Sequence, residues 1–238
     1  MSDWREALLQ TLNHGAPSEA EIFTRLSDAA ARYGYEFCSF GVRLPDPGGD
    51  TNEVWCTNYP DAWQAHYMAN DYLHHDPVIH QARGSHLPVV WNAATKAGQA
   101  AFWGEASEHG IRHGWTLALY GANGAFGLIS LARSHDRIDE AELADNEARL
   151  LWLSHAALEA VSARHQRRQP THASHALSER ERDILRWALA GKTAEETACI
   201  LAISSRTVHF HMMEIMQKLN VVNKTQAVAK ALVLNLID

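Results

Sequence analysis

Between residues 59 and 91 the chain gathers hydrogen-bonding aromatics, Tyr59, Trp63, Tyr67 and Trp91, around one acid set ahead of a proline, Asp76-Pro77. Pro60 is suited to open a helix. Trp63 and Tyr67 then share one face, with Tyr59 at its start. Pro77 confines Asp76 to extended backbone, which fixes the direction of its carboxylate. Large aromatics at helical spacing are ordinary core residues, but a core needs no buried acid. Aromatic bodies with polar tips around one acceptor suit a small amphipathic ligand that carries an amide and an ester.

The chain has 238 residues, enough for one medium domain and one small one. No apolar run approaches the roughly 20 residues of a membrane span, and the start MSDWREALLQ has no signal-peptide pattern, so a cytoplasmic protein with no membrane partner is expected. Cys38, Cys56 and Cys199 show no metal spacing and read as free thiols. His74-His75-Asp76 and the pair His109 and His113 are not zinc patterns, so no metal and no cofactor are expected. Charge divides the chain unevenly. Residues 164–238 carry 11 Lys and Arg against 7 Asp and Glu, whereas residues 1–163 carry 10 against 21. A basic C-terminal piece on an acidic body assigns contact with nucleic acid to that piece alone.

The first part alternates helices and strands. Helices are predicted over 3–13, from a Ser18 cap to about Tyr33, after Pro60, over 98–109 and over 138–164. Strands are predicted over 36–43, 53–57, 115–120 and 125–133, and residues 77–92 begin helical and end extended. The last two strands form a hairpin turned at Gly121 to Gly124. Strands between long helices imply an α-β-α sandwich over residues 1–164. Residues 165–176 are polar, contain proline, and read as a linker.

From Leu177 the pattern changes to four short helices, capped by Ser178, Thr193, Ser204 and Asn223. The fold class is therefore α+β with an all-α domain over 177–238. Two short helices joined by a tight turn, the second polar at its start, make a helix-turn-helix. Ser205, Arg206, His209 and Met213 lie on the exposed face of the second, with Arg206 placed for a guanine edge. Thr193, Thr207, Lys218 and Lys224 are candidates for phosphate contact, and Ser204, the cap of the second helix, is a further candidate DNA-binding residue.

Tyr59, Trp63, Asp76-Pro77 and Trp91, with Gly114, resemble the signature of the LuxR family of quorum-sensing regulators. The C-terminal stretch GKTAEETACILAISSRTVHFHMMEIMQKLNVVNKTQAVAKAL, with Glu181, Leu185 and Gly191, is similar to that family's DNA-binding domain. YGYEFCSFGVR and HGIRHGW resemble an orphan receptor of the family more than its founding members. The resemblance implies a homodimeric transcription factor that binds an N-acyl-homoserine lactone autoinducer and an inverted repeat in double-stranded DNA, with RNA polymerase a further candidate partner. It also implies roles. The Trp63 indole donates to the lactone carbonyl, Asp76 accepts from the amide N–H, and Tyr59 donates to the acyl carbonyl. Ser39 and Ser130 sit on strands expected to line the cavity. Tyr67, Val78, Trp91, Phe102, Trp115, Leu117 and Phe126 are candidate walls of the acyl channel. His209 stands where the family often has Lys.

Two other classes fit less well. A lactone hydrolase using Asp76 and His74-His75 lacks a nucleophile–base motif and leaves the DNA-binding domain unexplained. A phosphorylation-driven response regulator lacks the paired acids near its N-terminus. The chain is therefore not expected to be an enzyme; a regulator answering a different small molecule is the alternative.

Overall fold

A computed structural model describes residues 4–15, 17–45, 51–93, 100–168, 177–234 and 236–237. The chain divides into two compact units, one of residues 1–44, 53–121 and 125–166, the other of residues 45–52, 122–124 and 167–238.

The first unit opens with α1 (Trp4–Asn13) and α2 (Glu19–Ala31). Ser18 caps α2 through a capping box: its hydroxyl accepts from Glu21 N, and Glu21 accepts from Ser18 N at 2.6 Å. Then come β1 (Phe37–Pro45), β2 (Thr51–Thr57), α3 (Asp61–Ala69), the single turn α4 (Tyr72–His75), α5 (Pro77–Arg83) and β3 (Val89–Asn92). After them follow α6 (Ala100–Glu108), β4 (His113–Tyr120), β5 (Phe126–Arg133) and the long α7 (Glu140–Arg168). The start of the helix expected at 98 and most of the expected linker lie outside the described residues. Residues 165–168 form the last turn of α7.

The five strands are ordered β2-β1-β5-β4-β3, with β1–β5, β5–β4 and β4–β3 antiparallel. Alternation along the strands sends two sets of side chains to opposite faces. Cys38, Phe40 and Val42 of β1, Trp115, Leu117 and Leu119 of β4, and Ile129 and Leu131 of β5 join one core with Ile22 and Leu26 of α2 and Leu150, Leu153 and Val161 of α7. On the other face, Trp91, Ala118 and Ala132 pack with Trp63 of α3, Val78 and Ala82 of α5, and Trp103 and Ala106 of α6. Helices on both faces of one sheet make the expected sandwich. A buried ion pair ties the sheet to α7: Arg133 donates to both oxygens of Glu142 at 2.7 Å and to the carbonyls of Asp136 and Arg137.

The second unit contains α8 (Glu179–Leu189), α9 (Ala194–Leu201), α10 (Ser205–Lys218) and α11 (Lys224–Val233). Each is capped by the predicted side chain: Ser178, Thr193, Ser204 and Asn223 each accept from the backbone N–H three residues on. Ala202 takes the left-handed conformation (φ 53°) and turns the chain between α9 and α10. Ile184, Leu185, Ala198, Val208, Ile215, Leu219, Ala227 and Ala231 form the core of this unit.

Candidate functional site

A cavity of about 440 Å³ opens on the α3–α5–α6 face of the sheet. Its polar end is built from three elements. Tyr59 precedes α3, Trp63 and Tyr67 follow on it one and two turns later, and Asp76 heads α5. The Trp63 and Tyr67 rings meet edge to face at 5.7 Å. Asp76 is extended (φ −65°, ψ 116°), as its proline requires.

Asp76 has a second task that its position before Pro77 encodes. Its Oδ1 accepts from Val78 N at 2.7 Å and Ile79 N at 3.3 Å, so it is the N-cap of α5, with Pro77 in the first helical position. Oδ2 accepts from the Tyr67 hydroxyl at 2.9 Å. A carboxylate offers about four lone-pair sites, so these three bonds leave about one unused. Burial pushes the Asp76 carboxyl above its ordinary value, while Tyr67 and the two backbone N–H groups oppose the rise. Burial likewise raises the hydroxyls of Tyr59 and Tyr67, which stay neutral donors.

Beside this acid runs a relay across the sheet. Trp91 Nε1 donates to Thr116 Oγ1 at 2.9 Å, Thr116 and Ser130 hydroxyls share a bond at 2.8 Å, and Tyr59 reaches Ser130 Oγ at 3.5 Å. Thr116 and Ser130 are register partners on β4 and β5. Gly114 makes the relay possible: a Cβ there would lie 2.1 Å from Trp91 Cζ2 and 2.5 Å from the Leu131 carbonyl, so any side chain would eject the indole. Among the described residues Trp63 Nε1 has no acceptor, and Trp63 lines the cavity. It is one unsatisfied donor of the site; the buried Trp103 Nε1, on the same cavity, is another.

The predicted residues Ser39, Tyr59, Trp63, Tyr67 and Asp76 all line the cavity, as do Val78, Trp91, Phe102, Phe126 and Ser130. Trp115 and Leu117 do not. They project from β4 to the opposite face, where both are buried and Trp115 Nε1 reaches Glu147 at 3.4 Å. Both faces of β4 are buried, so alternation could not show which one meets the ligand. Thr116, between them, points into the cavity and was missed. Trp55 was missed too: it donates to Ser39 Oγ at 3.1 Å and lines the same cavity.

In the second unit α10 exposes Arg206, His209 and Met213, with Ser205 partly exposed. Phe210, not singled out from sequence, is 58% exposed on the same helix. Among the described residues Arg206 has no ion-pair partner. His209 Nδ1 lies 2.8 Å from the Ser205 carbonyl, Ser204 bonds Thr207 Oγ1 at 2.7 Å, and Lys224 donates to the Lys192 carbonyl. Thr193 is occupied in its capping box with Glu196. Lys218 departs from its expected phosphate role: it donates to both oxygens of buried Glu181 at 2.7 and 2.8 Å and so ties α10 to α8.

An autoinducer binding domain family matches residues 18–161, and the luxR family of bacterial regulatory proteins matches residues 175–231. The transcriptional activator protein SolR of Ralstonia nicotianae is 34% identical over 224 residues, 94% of this chain and 95% of SolR. The crystal structure of Escherichia coli SdiA superposes with a TM-score of 0.75 at 31% identity, covering 98% of this chain and 97% of SdiA. SdiA in complex with octanoyl-rac-glycerol gives 0.73 at 32% identity, covering 97% and 93%. The N-acylhomoserine lactone dependent factor CepR2 from Burkholderia cenocepacia gives 0.59 at 30% identity, covering 68% of this chain and 95% of CepR2.

Proposed function

The chain belongs to the luxR family of bacterial regulatory proteins, as an autoinducer-binding regulator with a DNA-binding domain, and we propose that its ligand is an N-acyl-homoserine lactone. The observation that carries this reading is the juxtaposition of a donor-only indole without a partner, Trp63, with a nearly filled acceptor, Asp76. An amide N–H takes the remaining lone pair of Asp76. A lactone carbonyl accepts from Trp63 Nε1, and the acyl carbonyl accepts from Tyr59, with Ser130 beside it. Together these fix one amide-ester head in one orientation. CepR2, named as dependent on such lactones, supports the same class.

Residues 1–164 then form the ligand-binding domain and 177–238 the DNA-binding domain, joined at 165–176. The ligand adds apolar surface to the cavity, stabilises the domain and favours a homodimer. The dimer presents two α10 helices to an inverted repeat with half-sites about one helical turn apart. Arg206 reads a base edge, and His209, Met213 and Ser205 flank it. Thr193, Ser204, Thr207 and Lys224 contact phosphates, and RNA polymerase is a further partner. The chain acts in the cytoplasm.

A second reading has one specific support: SdiA holds octanoyl-rac-glycerol, an acyl ester without an amide. Such a ligand satisfies Trp63 but offers Asp76 only a hydroxyl. Selection of bound duplexes from a random pool, with and without lactone, tests the proposal. A ligand-dependent enrichment of one inverted repeat supports it. The same enrichment without ligand, or with octanoylglycerol alone, counts against the lactone.

A further inference from the structure

The cavity has a second polar end. Ser39, Ser130 and Thr116 form one row across β1, β5 and β4; Arg43, Phe126 and Tyr120 form another, four residues away along each strand. At 3.2–3.4 Å per residue the rows are about 13 Å apart. Helix α5 spans the same interval: Asp76 stands at its head, beside the first row, and Arg83 at its foot, about 10 Å away at 1.5 Å per residue. The Tyr120 hydroxyl donates to the Arg83 carbonyl at 3.1 Å, which anchors that foot at the second row. Both guanidinium groups then meet one ring: Arg43 Cζ lies 5.8 Å and Arg83 Cζ 5.9 Å from the Phe126 centroid. Arg43, Arg83 and Phe126 line the cavity. Among the described residues neither arginine forms an ion pair, and Glu53, which also lines the cavity, joins neither.

An alkyl tail running from the first row to the second ends among two cations that have no ion-pair partner among the described residues. We infer that the far end of the cavity is an anion-binding subsite, and that the chain prefers an acyl ligand whose tail ends in a carboxylate. The inference rests on the acyl-ligand reading above. Arginine recognises a carboxylate by paired N–H donors, and the Phe126 face holds the guanidinium groups in place without competing for their N–H groups.

The test uses two probes of equal length, N-decanoyl-homoserine lactone and its counterpart with a terminal carboxylate. Dissociation constants are measured on the full-length protein, on Arg43→Met and on Arg83→Met. Both arginines are exposed at the cavity rim, so the expected advantage of the carboxylate is modest, about fivefold at low salt, and it shrinks as salt rises. The ratio of the two constants is expected to approach one in either variant. Tighter binding of the plain chain by the unaltered protein, or an equal loss of both probes in the variants, overturns the subsite while leaving the lactone reading intact. Binding of neither probe overturns both.

Discussion

The Tyr67 hydroxyl donates to Asp76 Oδ2 at 2.9 Å, while Oδ1 of the same carboxylate holds the first two free N–H groups of α5. One side chain thus fixes a helix and orients an aromatic wall, with about one lone pair left unused. These tasks separate on substitution. Asp76→Ala removes the cap and orphans Tyr67, with an expected loss of about 1–3 kcal/mol in the empty protein. Asp76→Asn keeps an acceptor for the cap, so chemical denaturation should show a change of about 1 kcal/mol or less. Lactone affinity should fall in both. Unimpaired lactone binding in the Asn variant would remove Asp76 from the head-group site.

Acid should weaken the ligand as well. Burial raises the folded carboxyl of Asp76 above its unfolded value. The empty fold therefore favours the protonated form. The cost of ionising it sets in as pH rises past the unfolded value and is complete above the folded one. A ligand N–H needs the ionised form, so binding draws that value back down and releases a proton. Affinity is expected to decline on acidification through the folded value, by up to about tenfold per pH unit below it. The Asn variant should show a flat profile over the same range by isothermal titration.

Trp115 provides a check on which face of β4 meets the ligand. It is fully buried in the core shared with α2 and α7. Trp115→Phe should lower stability by about 1–2 kcal/mol through the volume lost. The order of affinities across acyl lengths should stay as it was. A changed order would place Trp115 in the acyl channel after all.

Local signals made much of this fold legible. Five helix caps, Ser18, Ser178, Thr193, Ser204 and Asn223, were readable because the capping bond spans only three residues. That Tyr59, Trp63, Tyr67 and Asp76 line one cavity was readable because α3 and the Asp76-Pro77 step are close in sequence. What escaped depends on partners far along the chain. Trp115 and Thr116 look interchangeable as cavity walls until β5 fixes the register and α7 covers one face. Arg43 and Arg83 are 40 residues apart and meet only over Phe126. Lys218 looked free for a phosphate because its partner, Glu181, is 37 residues away.

That last pair makes a prediction about the second unit. Burial alone would raise the Glu181 carboxyl, but Lys218 and the Ser178 N–H outweigh it and hold it below its usual value. A lowered folded value means stability that is present above the unfolded pKa and lost as pH falls through the folded one. Lys218→Met leaves the buried acid without its cation. Because the lysine is about one-third exposed, the expected cost is about 1–2 kcal/mol rather than the larger figure for a fully buried pair. Hydrogen exchange of the α8 and α10 amides should quicken in the variant, and in the unaltered protein as acid is added, after correction for intrinsic rates. Unchanged protection would mean that the pair contributes nothing.

The most direct test of the central claim is thermal unfolding of the full-length protein against homoserine lactones of graded acyl length, repeated on Trp63→Phe. A ligand at a hundred times its dissociation constant adds about 2.7 kcal/mol, a rise of roughly 5–10 °C for a chain of this size. The account predicts a length-dependent rise in the unaltered protein and a much smaller one in Trp63→Phe, which keeps the ring but loses the N–H. No rise with any lactone, or an equal rise in the variant, would contradict it.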